Sequence, residues 1–446
     1  MRVLLVVHRF PPDGLTGVER ITQALAMDLT RLGHRVAVVS RRAQPSDPVR
    51  RQTETLPDGI VIHRFVAPMS PRDQFLLDHQ PLEALFQQVL LEVAPDVVHF
   101  LHLMDLSPRF VELAHRHGAA VVMSLQDFYV ACPLINLRKR SGELCAGPDG
   151  GRECARTCFA HEAQHASMRW GLRQLYFRRI LGCAERIIVP SSYVQAFFEH
   201  YGAARERIHV IPNGVSITPK TRTEVSHSHA NRRLTLAYLG SVQPLKGPHL
   251  LLEGLRLAGL PAVDLRVLGV AGIPEYTETL RQMAATIPGL RMQLCGGYEP
   301  DDLPLLLSGV DCVVQPSLVP ETFGIAVREA LTQGIPVITT RLGGLPEAVV
   351  EGENGFTFDH TRPAELAVIL RRLADDETLR RRLRRGAWRT PVTSVAEHAE
   401  QVQGVYEAAC HDRRHRPATQ AVDLEELRFL HSALLHMWFD PHARLA

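Results

Sequence analysis

Short apolar runs of strand length alternate with segments whose apolar residues recur every three or four positions. The alternation covers most of the chain, breaks once, and starts again. A strand flanked by helices in sequence is buried on both faces, so this pattern dictates a parallel sheet with helices on either side. The first unit is the plainest. Residues 2–8 read as a buried strand and 11–17 as a turn-rich loop; Val18, Ile21, Leu25, Leu29 and Leu32 then follow at helical spacing until Gly33 stops the helix.

Further strands are expected at 35–40, 61–65, 97–100, 120–125, 186–190 and 208–211. Residues 216–233 are polar and aperiodic, which marks a linker. Strands resume at 234–239, 264–268, 290–294, 312–315 and 336–339. The expected fold class is therefore α/β, with two Rossmann-like doubly wound domains facing a cleft, and 446 residues are too many for one core. Ligands of such sheets bind beyond the carboxyl ends of the strands, and two facing sheets suit two substrates.

The formal net charge of +2 calls for no nucleic acid or other polyanion. The apolar start is too short for a signal peptide, and no run approaches the ~20 apolar residues of a membrane span, so a cytoplasmic protein is expected.

The most informative segment runs from Gln315 to Leu331. A strand ends at Gln315, a loop carries Glu321, and a helix opens near Gly324, which leaves the amides of Phe323, Gly324, Ile325 and Ala326 to meet an anion such as a diphosphate. Glu329, about one and a half turns into the helix, can accept from ribose hydroxyls, and Glu321 from hydroxyls of a transferred sugar. Two glutamates eight residues apart are ordinarily solvated surface charges. Here they bracket a strand-loop-helix junction.

This segment resembles the retaining glycosyltransferases of family 4, whose C-terminal domain carries two glutamates at this spacing in this setting. Other pieces match in order: Pro11-Pro12 through Gly17, Ile211-Pro212-Asn213-Gly214-Val215, Gly240 to Lys246-Gly247, Gly334-Ile335-Pro336-Val337-Ile338 and Gly343-Gly344-Leu345-Pro346-Glu347. The resemblance covers roughly residues 1–410. It implies the GT-B architecture: an acceptor-side domain 1–215 with a cysteine-rich insertion 132–158, a linker 216–233, a nucleotide-sugar domain 234–390, a cross-over helix 391–410 and a helical extension 411–446. It also implies a nucleotide diphosphate sugar donor of UDP or GDP type, transfer with retention, and a sugar, lipid-linked or small-molecule acceptor.

Lys246, just after a strand ending near Gly240, can reach the donor phosphates and offset leaving-group charge. The family has an arginine after that glycine, where this chain has Ser241. Gly17, at a helix start, allows backbone amides to approach donor or acceptor. The run Gly14-Leu15-Thr16-Gly17 lacks the third glycine of a dinucleotide fingerprint, which argues against an NAD enzyme. Gln126-Asp127 stands where the family places His-Asp; the Gln126 amide can hold a sugar hydroxyl but cannot take a proton. His99 and His102 are acceptor-side candidates, each with a buried structural reading beside the functional one. No Asp-x-Asp metal anchor occurs, so no cofactor is expected for catalysis.

Cys132, Cys145, Cys154 and Cys158 fall in one Gly- and Arg-rich stretch, which fits a structural zinc site ordering a loose lid, an iron-sulfur cluster, or plain thiols. The arginines of 380–385 leave peripheral contact with anionic lipid open, against a solvated helix face. Residues 423–439 read as an extra helix covering a core face or a second subunit. Two rival functions remain: a non-catalytic sugar-nucleotide or partner-binding protein, and a nucleotide-sugar epimerase.

Overall fold

A computed structural model describes residues 1–14, 17–44, 48–69, 73–160, 166–216 and 233–415. The linker core 217–232 and the expected helix 423–439 lie outside them. The chain forms two compact units, one from Met1–Pro212 rejoined by the helix Val395–His415, the other Asn213–Ser394.

The first unit holds β1 (Arg2–Val6), β2 (Arg35–Ala43), β3 (Arg50–Thr55), β4 (Val61–Ala67), β5 (Val97–Phe100), β6 (Ala120–Ser124), β7 (Arg186–Val189) and β8 (Ile208–Val210). Their order across the sheet is β3-β4-β2-β1-β5-β6-β7-β8, and only the β3–β4 pair is antiparallel. Val3, Leu4, Leu5 and Val6 are all fully buried, because β1 lies between β2 and β5 with helices on both faces.

The sequence shows no hint of β3. Arg50-Arg51-Gln52-Thr53-Glu54-Thr55 has no apolar face; it pairs on one side only, as a charged edge strand that resists further pairing.

The second unit holds β9 (Leu234–Leu239), β10 (Val263–Leu268), β11 (Leu290–Gly296), β12 (Cys312–Gln315), β13 (Val337–Thr340) and β14 (Gly355–Phe358), all parallel, in the order β11-β10-β9-β12-β13-β14. The short β14 was not expected; it needs Gly355, where a Cβ would lie 2.0 Å from the Val337 carbonyl oxygen.

Both sheets reverse direction once, between β1 and β5 in the first and between β9 and β12 in the second. These are the topological switch points at which doubly wound sheets open a crevice.

Two surface readings sharpen. Arg380 bonds the Leu373 and Ala374 carbonyls, Arg384 the Val310 carbonyl at 2.7 Å, and Arg381 pairs with Glu377, so much of the arginine run is engaged in the fold. The cysteine-bearing stretch after β6 is a packed segment, with Phe128, Tyr129, Ala131 and Leu137 buried in the main core, where a loose lid was expected.

Candidate active site

In the second unit the loops after β9 and β12 are brought into contact by glycines. Gly247 has φ 72°, and a Cβ there would lie 2.0 Å from the Pro316 carbonyl oxygen; the Leu318 amide donates to the Leu245 carbonyl at 2.9 Å. The short turn Pro244–Lys246 is thereby seated against the loop that carries Glu321. Lys246 Nζ lies 2.6 Å from Glu321 Oε1, which also accepts from Ser317 Oγ at 2.8 Å. The Glu321 backbone is held from the far side: its carbonyl accepts the Gly344 amide at 2.6 Å, and a Cβ on Gly343 would come within 2.1 Å of that same oxygen.

Gly324 caps the helix Ile325–Thr332 with φ 78°, a conformation that glycine adopts without penalty. Among the described residues no backbone group engages the amides of Phe323, Gly324, Ile325 or Ala326. Arg328, one turn on, stacks on the Phe323 ring at 3.7 Å and donates to the Phe323 carbonyl. Its Nη1 would lie 3.7 Å from a Gly324 Cβ, which sets a cation beside the amide cradle. Burial brings the Arg328 guanidinium down to about 10, with Glu347 opposing the shift. Glu329 is buried and accepts from Tyr298 Oη at 2.8 Å. Ser241 adds no charge: its hydroxyl accepts from Gln243 at 2.8 Å and its carbonyl from Tyr238 at 2.8 Å.

In the first unit, Arg64 reaches from β4 to clamp the loop after β1, donating to the carbonyls of Phe10 (3.1 Å) and Pro11 (2.6 Å) and to Asp13 (2.7 Å). At the switch point between β1 and β5 two histidine–carboxylate pairs meet, their rings tilted by 49° to each other. His102 Nε2 lies 2.6 Å from Asp127 Oδ2, His8 Nε2 lies 3.2 Å from Glu19 Oε1, and the two imidazole centroids are 4.4 Å apart.

Burial opposes charge on both rings. For His8 it wins, with the neighbouring His102 adding to it, and the pKa falls despite Glu19. For His102 burial is outweighed by the Asp127 carboxylate and the pKa rises. The Met104 amide donates to His102 Nδ1 at 3.0 Å, so a second proton on that ring must displace this bond; its resting role is to donate Nε2–H to Asp127. Burial would raise the Asp127 carboxyl, but His102 and the Tyr129 amide, donating at 2.8 Å, hold it below its usual value.

His99 is corrected from an acceptor-side candidate to a core residue. It is 1% exposed, Nδ1 bonds Tyr406 Oη at 2.7 Å and Nε2 bonds Ser124 Oγ at 2.7 Å, which leaves neither nitrogen for a ligand. Gln126 is buried beside Asp127, and Gly17 begins the helix Gly17–Arg31, next to Glu19. The structure thus gathers Lys246, Glu321 and the Gly324 turn in one unit, and His102 and Asp127 in the other.

Sequence reasoning missed His8, Glu19, Ser317, Tyr298 and Arg328. Two of them had a readable signal. His8 follows the apolar run Val3–Val7 at a switch point, and Glu19 lies in the first turn of the following helix.

Two family models match consecutive stretches of the chain: Glycosyltransferase Family 4 over residues 15–218 and Glycosyl transferases group 1 over residues 220–389. A D-inositol 3-phosphate glycosyltransferase of Pseudarthrobacter chlorophenolicus is 27% identical across 84% of this chain and 87% of its own. That of Corynebacterium efficiens is 33% identical across 41% of this chain and 46% of its own, so that alignment spans about half the relative's length.

Among solved structures, Anabaena HepE in complex with UDP and glucose superposes with a TM-score of 0.62 at 18% identity, covering 91% of this chain and 99% of that one. Sucrose-phosphate synthase from Thermosynechococcus elongatus gives 0.61 at 16% identity, covering 98% of each. These likenesses establish a two-domain GT-B fold. With family models matching both halves, the chain belongs to the family 4, group 1, glycosyltransferases.

Proposed function

We propose that the protein transfers a sugar from a UDP- or GDP-type nucleotide diphosphate sugar to an acceptor hydroxyl, with retention at the anomeric carbon and without a catalytic metal. One observation carries this reading: Lys246 and Glu321 meet at 2.6 Å at the β9–β12 switch point, beside the amides of the Gly324 turn. The diphosphate would sit on those amides, with Lys246 and Arg328 sharing its charge; Arg328 would supply the cation that Ser241 does not. Glu321, held by Ser317, would take hydroxyls of the transferred sugar, and Glu329 the ribose.

As the bond to the anomeric carbon breaks, negative charge gathers on the leaving phosphate. A fixed lysine there stabilises the transition state more than the ground state. The acceptor would lie against His102, Asp127 and Gln126, which position a hydroxyl while the leaving phosphate oxygen takes its proton. Ser241 and Gln126 depart from the family pattern and favour one rival, a binding module without turnover.

Release of nucleoside diphosphate from a panel of UDP- and GDP-sugars separates the two readings. The transferase turns over one donor and loses that turnover in Glu329→Ala. A module that binds a donor with no turnover in the wild type contradicts the proposal. The anomeric configuration of the product, read by NMR, tests retention.

A further inference from the structure

The segment between β6 and the helix Ala166–Cys183 folds back on itself and brings its four cysteines to one point. Cys132, Cys145, Cys154 and Cys158 all line a single cavity of about 10 Å³, the size of one water molecule or one ion. All four are free thiols, and Cys154 lies within electrostatic range of the other three.

The backbone is shaped for this meeting. Cys154–Cys158 form one π-helical turn closed by the Phe159 amide on the Cys154 carbonyl at 3.0 Å, a wide turn that puts sulfurs four residues apart on one face. Ile135 and Leu137 sit at φ 72° and 51°, a costly conformation for non-glycine residues and more so for a β-branched one. The loop they bend aims the amides of Leu134 and Leu137 at the Cys132 sulfur.

Arg173 is fully buried, and its guanidinium bonds only neutral partners, the Tyr129 carbonyl at 2.6 Å and the Val130 carbonyl at 3.3 Å. No carboxylate pairs with it among the described residues. A buried cation without a counter-charge is expensive. Its guanidinium lies over the neutral rings of Phe177 and Tyr129, 4.4 and 5.3 Å from their centroids, and the titratable groups within its electrostatic range are Tyr129, Tyr201, Cys132 and Cys154, of which the thiols are the ones a metal would ionise.

We propose that these four cysteines bind one zinc ion as a tetrahedral thiolate site that anchors the segment following Asp127, with Arg173 as its buried counter-charge. Binding Zn²⁺ releases four thiol protons, leaving a site of formal charge −2 that faces the guanidinium. Arrangement into ligating geometry at ~2.3 Å requires the side chains to turn. Among the described residues no three His, Cys, Asp or Glu groups already stand in that geometry, and Cys145 Sγ, which donates to the Gly147 carbonyl at 3.3 Å, must give up that bond. The site is separate from the transfer chemistry and does not depend on the donor reading.

Metal analysis of the full chain, purified without chelator or added metal, tests the proposal. About one zinc per chain is expected, with four thiols shielded from a disulfide reagent until a mercurial displaces the metal. Cobalt exchanged into the site should show the intense visible bands of a tetrahedral all-thiolate ion. Cys158→Ser should lower zinc retention and alter those bands, and since the wild-type stoichiometry needs no variant, a misfolded mutant leaves the test intact. Zinc below a tenth of an equivalent with all four thiols freely reactive, iron with acid-labile sulfide, or undiminished zinc and unchanged cobalt bands in a folded Cys158→Ser would each overturn it.

Discussion

Replacing Lys246 by Met removes a charge while keeping most of the side chain's bulk. Lys246 Nζ stands 2.6 Å from Glu321 Oε1, with the two side chains 27% and 15% exposed. A phosphate charge centred about 4 Å from the ammonium interacts with it by roughly 4 kcal/mol at an effective dielectric of about 20. Solvent screening trims this toward ~3 kcal/mol, close to the cost of deleting one preorganised donor to a developing anion, about 10²–10³ in rate. The loss should appear chiefly in kcat, because the charge develops as the bond breaks.

Stability should hardly change. A partly exposed ion pair contributes about 0–1 kcal/mol, or at most ~4 °C in the melting temperature of a domain this size. The assay is the initial rate of nucleoside diphosphate release beside a thermal melt. A kcat within threefold of wild type, or an activity loss fully matched by unfolding, refutes the role assigned to Lys246.

Three further outcomes are expected. Gly343→Ala should destabilise the protein by more than ~2 kcal/mol in urea titrations, since Gly343 has φ 64° and the added Cβ would meet the Glu321 backbone; unchanged stability would contradict the pinned loop. Burial depresses His99 to about 3, so its folded pKa lies below the unfolded value of 6.5. Its stabilising contribution is then complete above pH 6.5 and falls by ~1.4 kcal/mol per unit as pH drops toward 3; His99→Gln should flatten that slope, and parallel slopes would refute it. Arg328→Gln should weaken nucleoside diphosphate affinity about tenfold or more by calorimetry, as loss of a charge-assisted bond does; unaltered affinity would remove Arg328 from the donor site.

Most of the architecture was legible because core strands are predominantly apolar: β5, β9 and β12 fall on the expected residues. The exceptions have physical causes. β3 is a solvated edge whose charged residues carry no period, and β14 is four residues that depend on the backbone approach of Gly355 to Val337. Glu321, Glu329 and Lys246 could be named because their spacing around a strand-loop-helix junction is local. Their partners could not, since Ser317 and Tyr298 meet them only through the packing of separate loops. His99 and His102 look alike in sequence, three residues apart at the end of one strand. Packing against Ser124 and against Tyr406, over 300 residues away, shows that the first belongs to the core.

The central claim is that the Gly324 junction binds a nucleotide sugar. Melting the wild type and Glu329→Ala against a panel of nucleotide sugars tests it most directly. A donor at about 100-fold its dissociation constant should stabilise the wild type by ~2.7 kcal/mol, and Glu329→Ala should lose most of that gain at the same concentration. No stabilisation by any nucleotide sugar, or a gain left intact in the variant, would contradict the account.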